Sequence, residues 1–235
     1  MVNLVRPRWR FVVLATLGAA ALMAAGGPPR PLDPFVFRSV IDEKPRMITM
    51  ALANSLWASW DTQTGALYRV WDGNVDFTGA VYDTRHGPQP RSQGDVLFEG
   101  PGGSTWAIRS GETIIPLTAK WVGHVVHDNS AVLMFDLQWN GRTIAGVLIE
   151  PEAIPISYKG MAFQRRYRVH GLRSGVDLLH RVATTSFEGT PLDFGDHDQL
   201  VTLPAPHAGT WVVLDSEVPS NLMVRVSHIN SGGAQ

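Results

Sequence analysis

Cysteine is absent from the 235 residues. Its absence excludes disulfides, thiolate metal centres, thiol nucleophiles and covalent attachment of c-type haem, which needs a Cys-x-x-Cys-His segment. It also excludes lipid attachment at a cysteine behind an export signal. No phosphate loop, dinucleotide fingerprint or nucleophile elbow occurs either, which removes the commonest nucleotide-dependent and serine-hydrolase classes. No long window keeps the 3.6-residue period of an amphipathic helix. Basic charge is scarce: Lys and Arg number 20 against 21 Asp and Glu, for a formal charge of −1. A nucleic-acid partner would require a basic stripe, so none is expected.

The N-terminus carries most of the local charge asymmetry. Arg6, Arg8 and Arg10 precede the apolar, small-residue run from Phe11 to Ala25. That order is the n-region and h-region of a secretory signal peptide, and the run is short for a membrane span. Ala24 and Gly26 supply small residues at the cleavage-determining positions, so residues 1–26 are expected to be removed. Losing those three arginines shifts the formal charge from −1 to −4. The expected location is therefore periplasmic or secreted, with no membrane span after cleavage. Residues 27–34 form a Pro-rich leader, 35–228 a single β-sandwich domain and 229–235 a flexible tail around Ser231-Gly232-Gly233.

Strand periodicity dominates the rest. Leu133, Phe135, Leu137 and Trp139 alternate with Met134, Asp136 and Gln138, and Asn140-Gly141 follows directly, the strongest short hairpin signal. With Asp128-Asn129-Ser130 as the preceding turn, 119–126, 131–139 and 142–149 are predicted to form a three-strand antiparallel meander. Further strands are predicted at 46–52, 56–61, 66–71, 80–84, 96–99, 105–109, 163–170, 178–184, 200–203 and 211–215. One helix is predicted at Phe35–Asp42. Many short strands with turn signals predict an all-β fold, an antiparallel β-sandwich with little helix, of which a mutarotase-like supersandwich is one variant. The segment 72–95, with Gly73, Gly79, Gly87, Pro88, Pro90 and Gly94, reads as one long shaped loop.

Candidate site residues follow from side-chain chemistry. His86, beside Arg85 and ahead of two prolines, sits in a stiffened loop suited to a binding edge. Trp57 and Trp60 are three apart in a short strand and so point to opposite faces. One of them is therefore expected to be partly exposed or to lie under a loop. Exposed rings beside polar groups stack on sugars, so Trp57, Trp60, Trp71 and Tyr82, with Arg85, His86 and Gln89, form the candidate carbohydrate-binding set. Were the chain an enzyme, acid/base work would fall to His86 with Asp61 or Asp83. His124 and His127 fall on opposite faces of one strand and cannot share a metal. His197, between Asp196 and Asp198, reads as a solvated turn, and no metal site is expected. The strand 163–169 sets Phe163, Arg165, Tyr167 and Val169 against Gln164, Arg166, Arg168 and His170, a pattern expected of an exposed edge or solvated sheet face, with an anionic ligand or an acidic partner surface as the alternative.

One set of blocks carries a family resemblance. These are Asp33-Pro34-Phe35-Val36-Phe37-Arg38-Ser39-Val40, Lys44-Pro45-Arg46-Met47, Leu56-Trp57, Trp60-Asp61-Thr62-Gln63, Leu67-Tyr68-Arg69-Val70-Trp71 and His86-Gly87-Pro88-Gln89-Pro90. Together they resemble the N-terminal β-rich region of exported multidomain c-type cytochromes, in which a sugar-dehydrogenase-like propeller and a haem module follow. The resemblance implies a setting of periplasmic carbohydrate oxidation rather than an activity. It implies carbohydrate, a periplasmic cytochrome c or a sugar dehydrogenase as partners. Any haem c would belong to the partner, with no cofactor in this chain. The leading expectation is a non-catalytic module that binds carbohydrate or docks such an oxidoreductase. A sugar-active enzyme with mutarotase-like or lyase-like chemistry and a purely structural interaction domain are the alternatives.

Overall fold

The computed structural model describes residues 34–53, 55–77, 89–127, 130–156, 160–182, 193–194, 199–214, 216–217 and 220–226. The chain divides into residues 1–32 and 33–235, and every described residue belongs to the second unit. The described residues contain strands and turns and no helix.

Five strands form the smaller sheet in chain order: β1 (Phe35–Ile41), β2 (Lys44–Ala51), β3 (Leu56–Asp61), β4 (Leu67–Asp76) and β5 (Arg91–Glu99). The larger sheet is built from β6 (Trp106–Ser110), β7 (Thr113–His127), β8 (Ser130–Trp139), β9 (Arg142–Ile156), β10 (Gly160–His170), β11 (Asp177–Val182), β12 (Asp193–Phe194), β13 (Gln199–Leu203), β14 (Gly209–Leu214) and β15 (Ser220–Val226). Its ten strands run in the order β12-β15-β10-β9-β8-β7-β6-β11-β14-β13. All pairings are antiparallel.

The expected meander is present as β7-β8-β9. Asn140 and Gly141 take φ of 48° and 75°, as a two-residue hairpin turn requires for its twist to match the strands. Trp139 pairs with Arg142 across it. Leu133, Phe135 and Leu137 are buried while Met134, Asp136 and Gln138 are half-buried. Trp139, on the same alternating face as Leu133, Phe135 and Leu137 but next to the turn, is 45% exposed.

The two sheets bury one interior between them. Ile48, Trp60 and Phe98 of the smaller sheet share a cluster with Trp106, Phe135, Phe163 and Tyr167 of the larger, and the rings of Trp60 and Phe163 lie 6.2 Å apart. The larger sheet also curls on itself. Tyr167 of β10 reaches His180 of β11, Oη to Nε2 at 3.2 Å, although β9, β8, β7 and β6 lie between those strands in the ladder.

Three expectations are corrected. Residues 35–41 form strand β1, not a helix: Phe35 pairs with Ala51 and Val36 with Met50, and this long-range pairing overrides local preference. The segment 72–95 is only partly loop, because Asp72–Asp76 of β4 pairs with Arg91–Asp95 of β5. Gly73 and Gly94 face one another so closely that a Cβ on either would sit 2.1 Å from a backbone oxygen, so these glycines serve strand contact rather than a loop. Finally, β10 is not an edge, since it lies between β9 and β15, whereas the solvated face is present, with Arg168 and His170 exposed. Arg165 on it is 2% exposed. The predicted strand at 80–84 lies outside the described residues.

Candidate functional site

The tryptophans do not form a stacking platform. Trp57, Trp60 and Trp71 are 1%, 0% and 0% exposed. Trp60 joins the interior between the sheets, and Trp57 and Trp71 join a second cluster on the opposite face of the smaller sheet. The opposite-face expectation for Trp57 and Trp60 thus holds, but neither ring is exposed. The Trp57 and Trp71 rings stack on each other at 6.1 Å. Their indole N–H groups donate to the carbonyls of Gly73 (3.1 Å) and Asn74 (2.9 Å). Tyr82, Asp83, Arg85 and His86 lie outside the described residues, as does His197. Gln89 is exposed. His124 and His127 are exposed near the end of β7, and among the described residues no three His, Asp or Glu are grouped to hold a metal ion.

Among the expected residues that are described, Asp61 lines a cleft. The cleft encloses about 280 Å³ between the start of β2, the β3–β4 turn and the Gly100–Gly103 segment, just below the ~300–1,000 Å³ range of ligand sites. Its polar lining is Lys44, Asp61, Gln63, Thr64 and Tyr68. Local chemistry shapes the turn. The Asp61 carboxylate accepts the Gln63 N–H through Oδ1 at 2.8 Å, while its backbone carbonyl accepts the Gly65 N–H at 2.9 Å. This side-chain-to-backbone turn leaves Asp61 Oδ2 without a partner among the described residues. Thr64 Oγ1 accepts the Ala66 N–H at 3.3 Å. Gly65 has φ 66°, and a Cβ there would meet Trp106 Nε1 at 2.9 Å, so the turn closes directly on the core.

Tyr68 is held from behind by an ionic network that no local motif announces. Asp42 sits in the β1–β2 turn with φ 51°, followed by Glu43 at 65°, a conformation costly for residues other than glycine. Asp42 Oδ2 accepts from Tyr68 Oη (3.1 Å), Ser92 Oγ (2.7 Å) and Arg69 Nη1 (3.2 Å), and its Oδ1 accepts the Ser92 N–H (2.8 Å). Arg69 also pairs with Glu99. Lys44 Nζ and Arg69 Cζ each lie 4.9 Å from the Tyr68 ring centre. Burial, followed by the Asp42 charge, pushes the Tyr68 phenol up to about 12. At neutral pH Tyr68 is therefore a protonated, fixed wall and not a base. The cleft can hydrogen-bond a polar ligand through these side chains.

A second polar group lies in the interior. His180 is 2% exposed, with Nδ1 3.2 Å from the Thr105 carbonyl and Nε2 3.2 Å from Tyr167 Oη. The carbonyl can only accept, so Nδ1 carries the proton and Tyr167 donates to Nε2. The Trp106 ring stacks on the imidazole at 4.2 Å. Burial, and secondarily the positive charge of Arg165, pull His180 down to about 3, against the opposing bond from Thr105.

Comparison with known proteins leaves the site's chemistry to its geometry: no protein-family model matches the chain, and no curated protein is significantly similar to it.

Proposed function

We propose that the chain is an exported β-sandwich module that binds a carbohydrate in the cleft formed by Lys44, Asp61, Gln63, Thr64 and Tyr68. The observation that carries this reading is the carboxylate of Asp61, oriented through Oδ1 by its own turn and leaving Oδ2 available at the cleft. An oriented carboxylate flanked by an ammonium, an amide and a hydroxyl matches the alternating donors and acceptors of a sugar. The cleft's small volume favours one sugar unit over an extended chain. Recognition here rests on hydrogen bonds, since cations already lie over the Tyr68 ring. Calorimetric titration against mono- and disaccharides tests it. Asp61→Asn keeps the Oδ1 acceptor that closes the turn and removes the charge. It should weaken binding by about 10–100-fold, the worth of a hydrogen bond to a charged group, with little change in Tm. Wild-type protein that binds no sugar would refute the proposal.

A docking role is the second reading, and the end of the β7–β8 hairpin favours it. Val122, Val125 and Val126 near the end of β7 are 55%, 42% and 48% exposed, an apolar stretch suited to a protein surface. Docking of a periplasmic cytochrome c or sugar dehydrogenase through this stretch would leave Asp61→Asn with wild-type affinity for that protein and weaken Val125→Asp.

A further inference from the structure

Arg165 is a charged side chain with no counter-charge among the described residues. It projects from the middle of β10 toward the smaller sheet, on the same strand face as Phe163 and Tyr167, and is 2% exposed. A guanidinium cannot shed its proton at accessible pH. Yet no carboxylate or carbonyl among the described residues accepts from it, and its Nε is sealed from solvent with no hydrogen-bond partner. Its described neighbours are aromatic rings: Phe98, Phe163 and Tyr167 lie 5.5, 5.8 and 5.9 Å from Cζ.

Those rings offset part of the cost of burial and leave a specific part unmet. Ring faces attract the charge as a whole. They do not accept from the N–H donors in the guanidinium plane, and each unmade hydrogen bond of a buried charged group is expensive. The surrounding polar groups add no negative charge. Tyr167 spends its hydroxyl proton on His180, which is neutral, and Thr105 Oγ1 and Trp106 Nε1, at the start of β6, are also buried without partners among the described residues. Among the described residues the region therefore holds a positive charge with no facing carboxylate and three buried polar atoms without partners. What it lacks is an acceptor with negative charge, planar or nearly so, able to take two parallel N–H bonds from the guanidinium.

We propose that Arg165 anchors an interior binding site for a small oxyanion, either a carboxylate or an inorganic phosphate or sulfate. The anion would lie in the guanidinium plane, with the rings of Phe98, Phe163 and Tyr167 walling it from water. This site is separate from the Asp61 cleft and does not depend on it.

Thermal melts and titration calorimetry of the full-length chain test it, with acetate, sulfate and phosphate each compared with chloride at matched ionic strength. Wild-type protein should give a saturable one-site isotherm with at least one oxyanion. Its Tm should rise by roughly 5–10 °C at about 100 times Kd. Acetate acting alone identifies a carboxylate site, and sulfate or phosphate acting alone an inorganic one. Arg165→Met should abolish both heat and shift. Should that variant fail to fold, Arg165→Lys keeps the charge without the planar fork and should weaken binding at least about tenfold. No saturable binding to wild type by any of the three anions would overturn the proposal. So would an Arg165 variant that binds as wild type does.

Discussion

The β7-β8-β9 meander and the smaller sheet are both antiparallel and both hydrogen-bonded in chain order, yet they treat their two faces differently. In β8, alternate residues are buried and their neighbours half-buried. In β2 and β3 both sets are buried: Ile48, Met50 and Trp60 on the face toward the larger sheet, Met47, Ala51 and Trp57 on the other. The polar residues of that second face are satisfied within the sheet. Ser39, Thr49 and Ser59 form a hydroxyl chain across β1, β2 and β3, each step 2.9 Å. Alternation thus reports solvent on one side of a sheet, and it fades where both sides are covered.

The sharpest way to break this contrast is to compare Trp60→Ala with Trp57→Ala in urea unfolding. Both should cost about 3–5 kcal/mol, the range for a large buried ring. A loss under about 1 kcal/mol for Trp57→Ala alone would mean that the second face behaves as surface. Next in size is the acid response of the interior. Above pH 6.5 His180 is neutral whether the chain is folded or not. Below it, the unfolded chain takes up a proton that the folded protein refuses down to about pH 3. Stability is therefore lost as pH falls through this window, by up to about 1.4 kcal/mol per pH unit from this group. His180→Gln should flatten the dependence of unfolding free energy between pH 6.5 and 5, and an unchanged slope would contradict the burial of a neutral imidazole. The smallest effect belongs to the exposed meander turn. Gly141→Val forces a β-branched residue to φ near 75° and should cost at least about 1 kcal/mol. An unchanged Tm would count against the hairpin geometry.

The candidate cleft was legible only in fragments. Asp61 stood out as a carboxylate at the end of a strand, and its turn to Gln63 is local. Tyr68 did not stand out, because what holds it comes from Asp42 and Ser92, 26 residues before it and 24 after it. Lys44 reads alone as an ordinary turn residue, and the Gly100–Gly103 segment as a plain loop. The aromatic expectation failed because residue type marks a ring as large and amphipathic without saying whether a sheet face will be covered. Trp57, Trp60 and Trp71 are suited to stacking on a sugar or on a core, and the packing around them put all three in the core.

By itself the sequence determined the all-β class, the β7-β8-β9 meander and its turn, since these depend on period-two alternation and on φ at two adjacent residues. It also determined that no disulfide or covalent haem can form in this chain. Only the tertiary structure decided that residues 35–41 form a strand, because their partners lie on β2. It also decided that β10 is flanked on both sides, that Arg165 faces inward with no counter-charge among the described residues and that His180 meets Tyr167 across a curled sheet. Pairing between strands and closure of one sheet on another bring together residues far apart in the chain, and no local pattern encodes that distance.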